Sequence, residues 1–331
     1  MNWLLVGTGD IAHKRVIGAL AAEPRSRIVA VCDLVGERAE DVAAECQAHA
    51  YTDYAEALQD DEIEAVYVAT PVFLHTPQAA AALEAGKHVL VEKPIGVSHA
   101  QARELMRAAE ASENACGAAY YRRFYPRYRM AEEMLHSGEF GQVVLIRLHY
   151  FTWFGLTADD PKAWRLTFEK SGGGVLPDMG SHMFDVMIGL FGLPVRLYAK
   201  TATQTHCFEV EDSAAMVMEY EGGPQVIASF HWNSKTWSHE FEIVGTEAKV
   251  KWHPYDGPTV LKTVGRDTYE IESPNHENIH YPVIEDFVSA VEEGRPPRVT
   301  AEEAAKTNLL MDAIYLSARE NREVAVTEMD A

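Results

Sequence analysis

Apolar positions in the first third of the chain gather into short uninterrupted runs, each followed by a stretch with helical spacing. The runs are NWLLV (Asn2 to Val6), RIVAVCD (Arg27 to Asp33), AVYVATP (Ala65 to Pro71), HVLVEKP (His88 to Pro94) and ACGAAYY (Ala115 to Tyr121). None alternates polar with apolar, which is the pattern of a strand covered on both faces. Helical spacing occupies Ile11 to Ala22, Gly36 to Gln47, Thr76 to Ala85 and Ser98 to about Ser112, with a short helix at Tyr54 to Leu58. Gly86 can close the third of these as its left-handed stop, and Ser98 can cap the fourth. Strands separated by crossover helices predict a parallel sheet with right-handed connections.

The pattern changes near residue 122. A helix over Tyr125 to His136 precedes the strand VVLIRLHY (Val143 to Tyr150), then a glycine-rich stretch and a helix over about Pro177 to Phe191. Strand-like runs then recur at short intervals: 196–203, 213–220, 225–232, 240–244, 248–252, 260–263 and 268–271. QVIASFHW alternates, which places Val226, Ala228, Phe230 and Trp232 on one face of a largely antiparallel sheet. Two helices, Ile279 to Glu293 and Ala301 to Glu320, end the chain. The expected fold is α/β. A doubly wound parallel sheet occupies residues 1–121, and an α+β domain with a large, mostly antiparallel open sheet occupies 122–331. Helices cover one face of the second sheet. Its other face carries large apolar side chains that need a cover, most simply a second copy of the chain.

Composition narrows the partners. The 331 residues carry 47% hydrophobic and 24% charged side chains, an ordinary globular mixture able to build a sizeable core. A formal net charge of -21 disfavours nucleic acid and anionic membranes. Four scattered cysteines with no CxxC spacing suit a reducing cytoplasm, and Cys32 and Cys116 read as core residues. No apolar run reaches the ~18 residues of a bilayer span, and because strand pattern begins at Asn2 no signal peptide is expected.

Candidate chemistry concentrates in three places. The first is Gly7-Thr8-Gly9-Asp10-Ile11-Ala12, a GxGxxA sequence between strand and helix. Gly7 permits the tight turn, Gly9 lets a pyrophosphate approach the backbone, and Ala12 allows close packing of helix on strand. The following helix offers free N–H groups to the anion. Asp33 ends the second strand, 24 residues after Gly9, where a carboxylate can accept both hydroxyls of an adenosine ribose. That favours NAD, while Arg38, Lys14 and Arg15 keep NADP open. The second place is Glu92-Lys93-Pro94 at the C-terminal end of a parallel strand, where such sheets bind ligands. Lys93 could orient a substrate hydroxyl or relay its proton. The third is SGGGVLPDMGSHMFD, in which Asp178, His182 and Asp185 fall on one helical face. An imidazole one turn from a carboxylate can take a proton from an alcohol. An Asp-xxx-His metal pair lacks a nearby third ligand, so no metal is expected.

These segments, taken with AYYRRF, AWR and the terminal MDAIYLSAREN, resemble the Gfo/Idh/MocA oxidoreductase family over nearly the whole chain and in the family's order. The resemblance implies an N-terminal Rossmann domain, a second α/β domain with an open sheet, and dimers or tetramers formed through that sheet. It implies NAD(P)-dependent hydride transfer on a sugar, cyclic polyol or related small molecule. Lys93, Asp178 and His182 would form the catalytic group, with His182 the general base. Thr70, Pro71 and His75 would line the cofactor cleft beside Gly7, Gly9, Asp10, Ile11, Ala12 and Asp33. Glu92 would help seat the nicotinamide ribose, and Trp164 with Arg165 would reach the nicotinamide end. Tyr121 and Arg122 would shape the substrate pocket with Lys93, Asp178 and His182. The chain departs from the family at Val72 and Tyr121, where asparagine is frequent. Relatives of this kind include NAD-retaining glycosidases and non-catalytic NAD sensors, which leaves two further classes of function. Of the remaining histidines, His13 reads as surface. His276 and His280 fit either a cleft edge or a cap-and-loop role.

Overall fold

The computed structural model describes residues 1–330. The chain divides into two compact units, Met1–Tyr121 with His276–Ala305, and Arg122–Asn275 with the segment from Lys306 on. Residues 276–305 return to the first unit.

Among the described residues the first unit has a six-stranded sheet: β1 (Asn2–Val6), β2 (Arg27–Cys32), β3 (His49–Tyr51), β4 (Ala65–Val68), β5 (His88–Val91) and β6 (Cys116–Ala118). Its order is β3-β2-β1-β4-β5-β6, with every pairing parallel. The helices α1 (Ile17–Ala22), α2 (Gly36–Cys46), α3 (Tyr54–Ala57), α4 (His75–Glu84) and α5 (His99–Glu110) make the connections. Leu4, Leu5, Val66, Tyr67, Val89 and Val91 are all buried, as their unbroken apolar runs require. The strand order reverses between β1 and β4, so the turns after β1, β4 and β5 flank the switch point where open parallel sheets bind ligands.

The second unit opens with α6 (Pro126–His136) and β7 (Val143–Trp153), followed by α7 (Phe168–Ser171) and α8 (Ser181–Phe191). Its further strands are β8 (Arg196–Ala202), β9 (Ser213–Glu219), β10 (Gln225–His231), β11 (Asn233–Gly245), β12 (Ala248–Trp252), β13 (Thr259–Val264), β14 (Asp267–Glu272) and β15 (Val324–Ala325). They run β14-β13-β12-β11-β7-β10-β9-β8-β15. The β7–β10 pairing is parallel, so the sheet is mixed rather than purely antiparallel. Val226, Ala228, Phe230 and Trp232 are buried as their alternation demands, and Phe184 of α8 meets Phe230 edge-on at 5.2 Å. On the other face Val217 and Ile227 are 51% and 50% exposed.

The returning segment carries α9 (Tyr281–Glu293), and α10 (Ala301–Glu320) follows it. Val283, Ile284, Phe287 and Val288 of α9 are buried, with the Phe287 ring 5.6 Å from Trp3 of β1. Burial of such side chains is worth about 1.5–3 kcal/mol each, enough to hold the segment on the first unit. Beyond α9, the Val299 carbonyl accepts from the Ala118 amide at 2.9 Å and so closes the free edge of β6.

Candidate active site

In the first unit the turn after β1 has the geometry its glycines suggested. Gly7 sits at φ +89°, and a Cβ there would stand 2.9 Å from Thr70 Cγ2 and 3.0 Å from the Ala69 carbonyl group. Only glycine fits. A Cβ on Gly9 would meet nothing within 4 Å, so that glycine borders open ground that any larger side chain would fill. Ala12 is buried. Asp33 Oδ2 accepts the Thr8 amide at 2.9 Å and the Thr8 hydroxyl at 2.8 Å, while Oδ1 accepts the Val35 amide at 2.9 Å. The carboxylate is thereby fixed beside the glycine turn at the strand ends. Neighbouring Leu34 is 86% exposed, an apolar side chain of a size to lie under a base. Open space at Gly9, a strand-end carboxylate and a parallel switch point together fit a dinucleotide.

The turn after β5 is held from several sides. The Lys93–Pro94 peptide is cis. Glu92 is buried, and its Oε1 accepts the Tyr67 hydroxyl at 3.0 Å and stands 3.1 Å from His280 Nε2. Its Oε2 accepts the Lys93 amide at 3.2 Å. Burial alone would push this carboxyl up. The bond and charge of His280, with help from Lys93 and Tyr67, hold it below the ordinary value. The Glu92 carboxylate thus takes donors from Tyr67, His280 and the Lys93 amide inside the unit. His75 is 1% exposed, with Nδ1 and Nε2 each 2.7 Å from a carbonyl oxygen, those of Pro94 and Thr70. It fastens the Thr70-Pro71 turn to the turn after Lys93. Tyr121 is also buried, with its ring centroid 4.6 Å from that of His280.

In the second unit the glycine-rich segment is shaped by a buried acid. Glu211 accepts the Gly174 amide at 2.8 Å, the Leu176 amide at 3.1 Å and the Tyr315 hydroxyl at 3.0 Å. Burial pushes its carboxyl up even so. A Cβ on Gly174 would stand 1.9 Å from the Glu211 carbonyl oxygen, so the segment packs here only as glycine. The helix that follows begins as a single π turn, Leu176–Gly180, before α8. Asp178 is half-buried, and its Oδ1 lies 3.7 Å from Arg165 Nε. Arg165 also lies over the Trp164 ring, 5.1 Å from its centroid. His182 is 5% exposed, one turn on. Asp185 is fully buried and accepts Arg123 Nε at 3.0 Å, a structural ion pair.

Around His182 the second unit gathers Arg122 and Tyr150 with Asp256, Tyr255 and His239, and sequence reasoning did not single out the last three. Arg122 makes a two-pronged ion pair with Asp256, Nε to Oδ1 at 2.9 Å and an Nη to Oδ2 at 2.7 Å. Arg122 is buried, and Tyr255 lies under its guanidinium at 5.4 Å. The Tyr255 hydroxyl is 3.5 Å from the His182 carbonyl oxygen. His239 stands between the Tyr150 and Tyr255 rings at 5.0 and 4.7 Å, and burial drives its imidazole down to about 3, so it stays neutral. Tyr150 is pushed up to about 12, first by burial and then by the charge of Asp178. A histidine at the inward parity of β11, otherwise filled by Phe241 and Ile243, was the available signal for His239. Asp256 and Glu211 gave none.

The chain matches known proteins over most of its length. Residues 1–120 match the family described as "Oxidoreductase family, NAD-binding Rossmann fold", and residues 128–251 match "GFO/IDH/MocA C-terminal domain". The chain belongs to the Gfo/Idh/MocA oxidoreductase family. It is 30% identical over 338 residues to D-xylose 1-dehydrogenase (NADP(+)) 2 of Haloferax volcanii, covering 100% of both chains. It is 29% identical to 1,5-anhydro-D-fructose reductase of Ensifer adhaerens, covering 91% of each. A solved structure of levoglucosan dehydrogenase with NADH and L-sorbose shares the fold, with TM-score 0.91, 20% identity and 100% of both chains covered. As a member of the Gfo/Idh/MocA family the chain is an NAD(P)-dependent oxidoreductase, and its first unit is the NAD-binding Rossmann domain. Among the described residues no helix is long and apolar enough to cross a membrane.

Proposed function

We propose that the protein is a cytoplasmic dehydrogenase or reductase. It moves hydride between nicotinamide and a hydroxyl-bearing carbon of a sugar, cyclic polyol or related carbohydrate derivative. The observation that carries this reading is the pair Asp178 and His182, a turn apart, with Arg165 held against the carboxylate. The relatives named for xylose and anhydrofructose support the carbohydrate class. The nicotinamide, when bound, accepts or returns the hydride. In oxidation His182 takes the hydroxyl proton, while Lys93 and Asp178 orient the reacting oxygen. Gly7, Gly9 and Ala12 admit the pyrophosphate, with Asp10, Ile11, Thr70 and Pro71 alongside, and Trp164 with Arg165 serves the nicotinamide end. Asp33 favours NAD over NADP, because a fixed carboxylate repels a 2′-phosphate. A second copy, as dimer or tetramer, covers the exposed face of the second sheet.

A panel of aldoses, polyols and anhydrosugars with NAD and NADP, followed by absorbance of the reduced coenzyme, tests the reaction. His182→Ala and Lys93→Ala should each lower turnover by ~100-fold or more while coenzyme binding is kept. Turnover close to wild type in both variants overturns the assignment.

A further inference from the structure

Lys93 is reached through a buried triad that draws on a segment far along the chain. Glu92 is 6% exposed, Tyr67 0% and His280 1%. Tyr67 belongs to β4, Glu92 follows β5, and His280 arrives from 188 residues away. The segment that brings it is tied down independently. The Asn278 side-chain amide donates to the Arg15 carbonyl at 2.8 Å, in the helical turn just after the glycine loop, and Asn278 Oδ1 accepts the His280 amide at 3.1 Å. Residues 276–280 thus join the nucleotide turn to the turn that carries Lys93. Three donors converge on one buried carboxylate, whose Oε2 accepts the amide of Lys93 itself. Such an arrangement suits an ionised glutamate with Nε2 of the imidazole as donor.

We propose that His280 is a positioning residue for the reaction. Through Glu92 it fixes the backbone of Lys93, whose amine is thereby positioned to donate to the reacting oxygen. The inference rests on the role of Lys93 in the proposed function. The titratable and charged groups facing Glu92 are His280, Tyr67, Lys93 and, from α4, His75, with Tyr121 packed on the far side of the imidazole. His280 is the one whose removal takes away a donor while leaving the strands intact. Burial raises a carboxyl left without its donors, so losing His280 moves the ionisation of Glu92 upward.

The test uses the full chain with His280→Ala and His280→Gln, the latter keeping a side-chain N–H donor, and Glu92→Gln as reference. Carbon-13 NMR of glutamate carboxyls reads the titration of Glu92 directly, its signal identified by loss in Glu92→Gln. In His280→Ala the midpoint should rise by about one unit or more and in His280→Gln by markedly less. With a substrate from the carbohydrate panel, His280→Ala should lower kcat ~10-fold, shift the acid limb of kcat upward by a similar amount and leave the coenzyme Kd nearly unchanged. His280→Gln should restore most of both. A Glu92 titration unmoved by His280→Ala overturns the proposal, as does an unmoved acid limb. Should the wild type oxidise no carbohydrate, the functional reading fails while the NMR titration still decides whether His280 governs Glu92.

Discussion

At the scale of single residues, much of the candidate site depends on which oxygen each acid offers and to whom. Asp33 presents its carboxylate at the strand ends, locked by Thr8 and Val35. Glu92, equally acidic in the sequence, turns inward to Tyr67 and His280. The first should govern coenzyme choice. Asp33→Ser should lower the ratio of kcat/KM for NAD to that for NADP by ~10-fold or more, since the repulsion of a 2′-phosphate is gone. An unchanged ratio removes Asp33 from that role. Asp256 gives a second prediction. Burial works to raise its carboxyl, but the adjacent Arg122 guanidinium holds it below the ordinary aspartate value. A lowered folded-state pKa gives stability that is present above the unfolded value, about 3.9, and is lost as pH falls through the folded one. Denaturation between pH 6 and pH 3 should therefore show a steeper loss for the wild type than for Asp256→Asn. At neutral pH that variant should cost about 2 kcal/mol, a figure moderated by the partial solvent access of Asp256.

At the scale of elements, the helix bearing His182 owes its placement to what lies before it. Glu211, itself bonded by Tyr315, receives the glycine segment at Gly174 and Leu176, and a π turn at Leu176–Gly180 leads into the helix. Gly174→Ala should destabilise the protein by ~3 kcal/mol or more in urea unfolding, because its methyl collides with backbone. Activity should fall further than stability explains, as the helix shifts. A variant as stable and active as wild type shows that the segment can move aside. Spacing alone placed Asp178, His182 and Asp185 on one stripe. Asp185 instead neutralises Arg123 in the interior, which a regular 3.6-residue period does not disclose.

At the scale of the whole molecule, the second sheet has one face under helices and one face with Val217 and Ile227 half exposed. A patch of this kind calls for a partner, and the proposed partner is a second copy. Sedimentation should find an oligomer for the wild type and a smaller species for Val217→Lys with Ile227→Glu, whose charges cannot be buried unpaired. A monomeric wild type excludes this face as a self-interface. The net charge of -21 should also make any self-association weaken at low salt, where like charges are least screened.

The sequence by itself determined the parallel first sheet, the alternating second sheet, the glycine turn and the identity of Asp33, Lys93, Asp178 and His182 as candidates. Each follows from a local rule: a side-chain period, a backbone angle open only to glycine, or a residue type at a strand end or helix start. Only the tertiary structure decided that residues 276–305 return to the first unit, that Glu92 and His75 face inward, and that Arg122 is clamped by Asp256. It alone brought Tyr150, His239 and Tyr255 together beside His182. Those outcomes depend on partners such as His280, 188 residues from Glu92. No period or motif along the chain encodes such a pairing, because the energy of a buried charge is set by the donors that folding gathers around it.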